Sequence, residues 1–404
     1  MSPQAAVPSG TTSAKTASEP AVRRHVVDAD SHMDPPYEMW AQYLPPHLRE
    51  LAPRIEEGEE CDWVVFEGRR RPVRMISNQA GRAGKDFKMI GKRSDMRAAW
   101  LPQQRLADMD TDGIGAAVLF GGGPLGTTNR ELYIASFETY NRWVWDFCSA
   151  DRRRLVPVAY LPMSDIDETL ALLRQAAKLG FRVVNIPAFP QASDGISTSA
   201  RVQAIQTGQG AALTGNPSGG LQYSHPDFDR LWAAICELDM TVTIHLGARV
   251  PRFGEKEHFL ADMIMSKLSM AEPIAIAIFS GVFQRFPKLR FVTVESGVGW
   301  FAFAAEYMDR TWEKQRYWTE SKLTEKPSFY MDQNIYGSFI NDRLGIINRN
   351  APGAHNIMWS SDYPHSETTF PRSHDVIARD FVGIPEADIR EIVCERARRL
   401  YSIN

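Results

Sequence analysis

Residues 155–186 read LVPVAYLPMSDIDETLALLRQAAKLGFRVVNI, and this stretch decides the fold. An apolar, β-branched run at 155–161 leads into helical spacing at 166–179, and a second β-rich run closes it at 181–186. Strands that are nearly continuous in apolar residues are covered on both faces, and two of them joined through a helix make a parallel βαβ unit. The punctuation agrees, because Ser164 and Asp165 supply an N-cap region and Gly180 a left-handed helix stop.

The same unit recurs in both directions. Runs at 25–30 (HVVDAD), 114–120 (IGAAVLF), 240–245 (MTVTIH), 289–295 (LRFVTVE), 329–336 (FYMDQNIY) and 356–361 (NIMWSS) bring the strands to eight. Helical patterns at 129–150, 227–238, 255–286, 299–318 and 386–401 lie among them, with Pro287 closing the one before the sixth strand. This alternation predicts a single α/β domain, a (β/α)8 TIM barrel. The run at 329–336 is the weakest, being more polar than a strand buried on both faces should be.

A chain of 404 residues suits one barrel with insertions. Two segments exceed a minimal barrel, residues 35–103 after the first strand and 190–224 after the fourth. Both leave the carboxyl ends of strands, so they read as a roof over an active site or as surface excursions used in oligomerisation. Residues 1–22, rich in Ala, Ser, Thr and Pro, read as a disordered tail or as an arm that orders on a neighbouring subunit, leaving 23–404 as the barrel.

A formal net charge of -3 supplies no basic field for nucleic acid or an anionic membrane. No run approaches the ~20 apolar residues of a membrane span, and the N-terminus lacks the apolar core of a signal peptide. Cys61, Cys148, Cys236 and Cys394 stand far apart, which suggests neither a disulfide framework nor a thiolate zinc site and suits a reducing cytoplasm.

The chemistry gathers at strand ends. Alternation along Asp28-Ala29-Asp30-Ser31-His32 puts Asp28, Asp30 and His32 on one side if the strand persists. Two buried carboxylates beside an imidazole are expensive to desolvate unless a cation sits among them. The fifth strand ends in His245 and the eighth leads into Asp362, Tyr363 and His365. Each is ambiguous alone, since a lone strand-end histidine is more often a hydrogen-bonded core residue. Their delivery to one barrel rim points to a metal held by Asp30, His32, His245 and Asp362. That donor set suits Zn2+ first, with Mn2+ or Fe2+ as alternatives. Glu295, at the same rim on the sixth strand, is a general base, a ligand to a second metal, or a carboxylate orienting a histidine.

The ordered motifs DADSH (28–32), TIHLGA (243–248), VESGVGW (294–300) and WSSDYPH (359–365) resemble the amidohydrolase-related branch of the amidohydrolase superfamily, which includes aminocarboxymuconate semialdehyde decarboxylase. Residues 105–110, 227–239 and 396–401 resemble it too, so the likeness covers about residues 24–402. It implies one catalytic divalent metal on Asp30, His32, His245 and Asp362, with Asp30 where many relatives carry histidine or glutamate. Glu295 stands where decarboxylase relatives commonly carry a histidine acid/base, a departure that weighs against the usual decarboxylation route. The resemblance also implies oligomers, either of this chain alone or with a homologue.

Hydrolysis or decarboxylation of a small carboxylated substrate is therefore expected, with Glu295, His365 and Asp362 as the catalytic groups. Arg249 and Arg252 are candidates to clamp a substrate carboxylate, or surface cations pairing with Glu255 or Glu257. Trp300 and Tyr363 are candidates for contact with an aromatic substrate, although aromatics there also serve packing. A second metal on Glu295 and His365 would instead admit a dinuclear non-haem iron oxygenase. An inactive structural subunit paired with an active homologue is a third reading, against which stands the retention of all four expected ligands.

Overall fold

The computed structural model describes residues 25–82, 84–190, 222–246 and 258–403. Eight parallel strands form the barrel: β1 (Val26–Met33), β2 (Ile114–Gly121), β3 (Leu155–Tyr160), β4 (Val183–Asn185), β5 (Thr241–His245), β6 (Phe291–Val294), β7 (Ile335–Phe339) and β8 (Ile357–Trp359). They pair in chain order from β1 to β8. Val27, Val118, Val158, Val184, Val242 and Val292 are fully buried, and each such side chain contributes ~1.5–3 kcal/mol of apolar burial.

The deciding βαβ unit forms as its punctuation dictates. Asp165 caps the helix Ile166–Leu179 by accepting the Glu168 N–H at 3.0 Å, and Gly180 ends it at φ 113°. Any side chain at Gly180 would also collide with Trp145, whose ring lies 2.8 Å from the position of a Cβ.

The barrel closes without a regular ladder between β8 and β1. Beyond the end of β8, the Asp362 N–H donates to the Asp30 carbonyl (3.0 Å) and the His32 N–H donates to the Tyr363 carbonyl (2.5 Å). Side chains reinforce this seam, with the Ser361 N–H donating to the Asp28 carboxylate at 2.8 Å.

Two expectations need correction. The seventh strand is Ile335–Phe339, and most of the run assigned to it is the helix Pro327–Asn334. Pro327 sits in the first turn, where its missing N–H is harmless, so the polar FYMDQ run is helical and the strand follows it. Within 255–286, the described residues form three helices, Phe259–Leu268, Ala271–Phe279 and Val282–Arg285, rather than one. Pro273 is tolerated only in the first turn of a new helix, and Gly281 breaks the chain again at φ 74°.

The insertion after β1 is more ordered than its charged composition suggests. It folds Arg54–Glu56, Trp63–Phe66 and Arg69–Pro72 into an antiparallel sheet, with Glu67 and Gly68 turning its second hairpin at φ 48° and 69°. Most of the second insertion, residues 191–221, lies outside the described residues. Among the described residues no helix is long and apolar enough to cross a membrane.

Candidate metal centre

Four strand ends bring their polar side chains together. Asp30 and His32 come from β1, His245 ends β5, Glu295 follows β6 and Asp362 lies beyond β8. One donor atom each from Asp30, His32, His245 and Glu295 lie within 4.8 Å of one another, and so do those of His32, Glu295, Asp362 and His365. His32 Nε2 stands 3.1 Å from Asp362 Oδ1 and 3.4 Å from Asp30 Oδ1, and His245 Nε2 lies 3.4 Å from that same Asp30 oxygen.

None of these contacts is aligned as a hydrogen bond. Among the described residues, both carboxylate oxygens of Asp30, both of Asp362, and the Nε2 atoms of His32 and His245 are buried without a hydrogen-bond partner. Buried polar atoms are nearly always satisfied, so orphans converging on one point need a ligand that accepts lone pairs. A divalent cation fits that donor set of carboxylate oxygens and imidazole nitrogens.

Strict alternation along β1 fails. A register shift between Asp28 and Ser31 marks a bulge, and the Asp28 carboxylate turns to the Ser361 N–H and hydroxyl instead of joining the cluster. Burial pushes Asp28 up to about 6. Glu295 and Asp362 both sit in left-handed backbone, at φ 58° and 55°, a conformation non-glycine residues hold only when their surroundings enforce it.

The charges are strongly interdependent. Burial raises the Asp30 carboxyl, but the imidazoles of His245 and His32 outweigh it and hold the group below the usual carboxylate range. Burial likewise disfavours the His32 cation, yet Asp30 and Asp362 raise it well above its ordinary value. Burial, then Asp362 and Asp30, push Glu295 far up. Its compensating cation, which the sequence reading missed, is Lys267: the ammonium lies 3.9 Å from Glu295 Oε1, 2.7 Å from Glu367 and 3.3 Å from the Glu295 carbonyl. The only signal was a lysine in the mostly apolar helix Phe259–Leu268, which also carries Asp262 and Ser266.

His365 stacks on His32 with ring centroids 3.7 Å apart and places Nδ1 3.2 Å from Asp362. Tyr363 does not join them. It is 2% exposed, its hydroxyl donates to Asp108, and the Arg105 guanidinium lies 4.2 Å over its ring, so its expected contact with substrate is replaced by a place in the packed interior. Trp300 lines a separate cavity of about 250 Å3 behind Glu295. Arg249 and Arg252 lie outside the described residues.

The family model described as Amidohydrolase matches residues 27–403. The chain belongs to the amidohydrolase family. No curated protein matches the sequence. Among solved structures, this amidohydrolase is similar to an amidohydrolase from Mycobacterium avium subsp. paratuberculosis K-10, at TM-score 0.69 and 18% identity over 94% of this chain and 100% of that one. It is also similar to a dihydroxybenzoic acid decarboxylase from Polaromonas sp. JS666 with bound manganese and 2-nitroresorcinol, at TM-score 0.60 and 17% identity over 94% and 98% of the two chains. A 5-carboxyvanillate decarboxylase from Sphingomonas paucimobilis gives TM-score 0.59 and 16% identity over 94% and 99%. At these identities the likeness establishes a shared fold.

The candidate metal site of this amidohydrolase opens into a cavity of about 730 Å3. His32, His245 and His365 form its floor, and the insertion after β1 forms much of its wall through residues such as Tyr37, Trp40, Phe66 and Trp100. Asp34 also lines it, accepting from Asn78 at 2.8 Å, and burial raises its carboxyl.

Proposed function

We propose that this amidohydrolase holds one divalent cation with Asp30, His32, His245 and Asp362 and removes the carboxyl group of a small aromatic acid, or hydrolyses such an acid. The observation that carries the reading is the set of buried, unpartnered donor atoms on those residues. The decarboxylases among the similar structures support an aromatic acid as substrate, and the manganese in one of them favours that ion beside the zinc expected from the donor set.

A cation bound here supplies Lewis-acid charge for a substrate carboxylate or for water. The chain's own groups do the rest. Glu295 is the proton carrier: raised by burial and by its acidic neighbours, it can deliver a proton to the carbon from which carbon dioxide departs, and in hydrolysis it takes one from water. Lys267 positions Glu295 from the side away from the histidines. His365, stacked on His32 and partly exposed to the cavity, orients the substrate oxygen nearest Asp362.

A second reading has its own observation. The two four-residue donor groups share Glu295, a carboxylate able to bridge two ions, which is the arrangement the alternative of a dinuclear iron site activating oxygen would use. Elemental analysis with a carbon dioxide assay on dihydroxybenzoates and 5-carboxyvanillate separates the two. About one manganese or zinc per chain and oxygen-independent release of carbon dioxide is the expected result. Two irons per chain with oxygen uptake would transfer the conclusion to the oxygenase, and a chain that binds no metal would end both.

A further inference from the structure

The cavity has room for more than a one-ring acid. At ~30 Å3 of liquid volume per water-sized group, an acid of about ten non-hydrogen atoms occupies on the order of 200–300 Å3. The space above the histidines is about 730 Å3, well up the ~300–1,000 Å3 range of pockets that enclose larger ligands.

The roof also has a sidedness that packing does not require. In its small sheet Val64 pairs with Arg71 across the strands, and Val65 with Arg70. Alternation then separates the arginines. Val64, Phe66 and Arg71 line the cavity, whereas Arg70 faces the other way, 4.0 Å over the Trp63 ring and 3.2 Å from Glu56. Arg74 lines the cavity as well. Neither Arg71 nor Arg74 has a side-chain hydrogen bond or ion pair among the described residues, in contrast to Arg93 beside them, which is held by Glu38 at 3.1 Å. Two unpaired guanidiniums therefore border an apolar wall whose far end is the metal centre.

We propose that the substrate is an elongated amphipathic dianion: one acidic group at the metal centre, an apolar body against the roof, and a second anionic group, carboxylate or phosphoryl, held by Arg71 and Arg74. This rests on the reading of the barrel mouth as the substrate site. Arginine forks bind both kinds of anion bidentately, and the exposed position of these two lets them close on it from solvent.

Tryptophan fluorescence of the metal-loaded full chain tests it with a defined probe series. The probes are benzene, biphenyl and terphenyl para-dicarboxylates, each compared with its monocarboxylate and with the acid bearing a phosphonate at the far end. At least one length should bind about tenfold tighter than its monoacid, a gain of the size expected for charge-assisted pairing that shrinks as salt is raised. In R71Q/R74Q the gain should vanish while the monoacid binds as before. Equal binding of every diacid and monoacid, or a gain that survives in R71Q/R74Q, overturns the proposal. The arm with the larger arginine-dependent gain identifies the second group. Because fluorescence needs no turnover, an arginine-dependent gain in a chain that releases no carbon dioxide supports this inference while counting against the proposed reaction.

Discussion

Two buried, highly charged regions meet at the seam of the barrel, and they are built on opposite terms. Below the rim, Asp28, Arg105, Asp108 and Tyr363 are tied to their neighbours by hydrogen bonds, with Arg105 Nε alone of their side-chain atoms buried and unpartnered. Asp28 accepts from Ser361, the Arg105 guanidinium donates to the Ser31 hydroxyl, and Asp108 receives Arg97, Gln104 and Tyr363. At the rim, two residues along from Asp28, both oxygens of Asp30 have no hydrogen bond at all. Burial and charge are common to both regions, so neither property marks a functional site. What sets the rim apart is clustering: single orphaned atoms occur elsewhere among the described residues, Arg105 Nε included, but at the rim the carboxylate oxygens of Asp30 and Asp362 and the Nε2 atoms of His32 and His245 lie together, all of them lone-pair donors.

That contrast can be broken experimentally. Asp30→Ala should release the metal and lower turnover by more than the ~10–100-fold that follows loss of a group merely supporting a ligand, with the far-ultraviolet circular dichroism unchanged. Full metal content in that variant would remove the distinction between the regions. Asp108→Ala should do the reverse. It leaves Arg97 and the Tyr363 hydroxyl without their acceptor and should cost about 3 kcal/mol in urea unfolding, at the lower end for a buried pair because Arg97 is 37% exposed, while metal per folded chain stays constant. Glu295→Gln sharpens the comparison within the rim itself. Turnover should fall about 100-fold with the metal retained, and a fall in metal stoichiometry instead would make Glu295 a ligand and favour the dinuclear reading.

Much of the barrel was legible because its punctuation is local. The 155–186 unit carries its cap, its stop and both strands within a short stretch, and the helix bounds Ile166–Leu179 match the reading. The seventh strand was misplaced for an equally physical reason. IYGSF contains Gly337 and Ser338 where a buried strand is expected to show large apolar residues, and the size of Gly337 is set by Phe301 and Val298, whose side chains lie 2.6 and 2.7 Å from where its Cβ would be. A packing constraint imposed by a distant helix leaves no periodic trace.

The same limit applied at the site. Strand ends bearing Asp30, His32, His245 and Asp362 could be picked out one by one, and the structure sets them in two overlapping donor groups that share His32 and Glu295, with Asp30 and His245 in one and Asp362 in the other. The bulge that turns Asp28 aside and the lysine behind Glu295 depend on partners far away in the chain. Tyr363 misled because its neighbours in sequence are site residues, while its neighbours in space are Arg105 and Asp108.

The seam has a bearing on how the protein is made. Asp30 and His32 leave the ribosome more than three hundred residues before Asp362, whose N–H bonds the Asp30 carbonyl across the gap. On the proposed ligand set the cation's seat is complete only once this stitch is made, so metal loading would follow closure of the cylinder and not precede it.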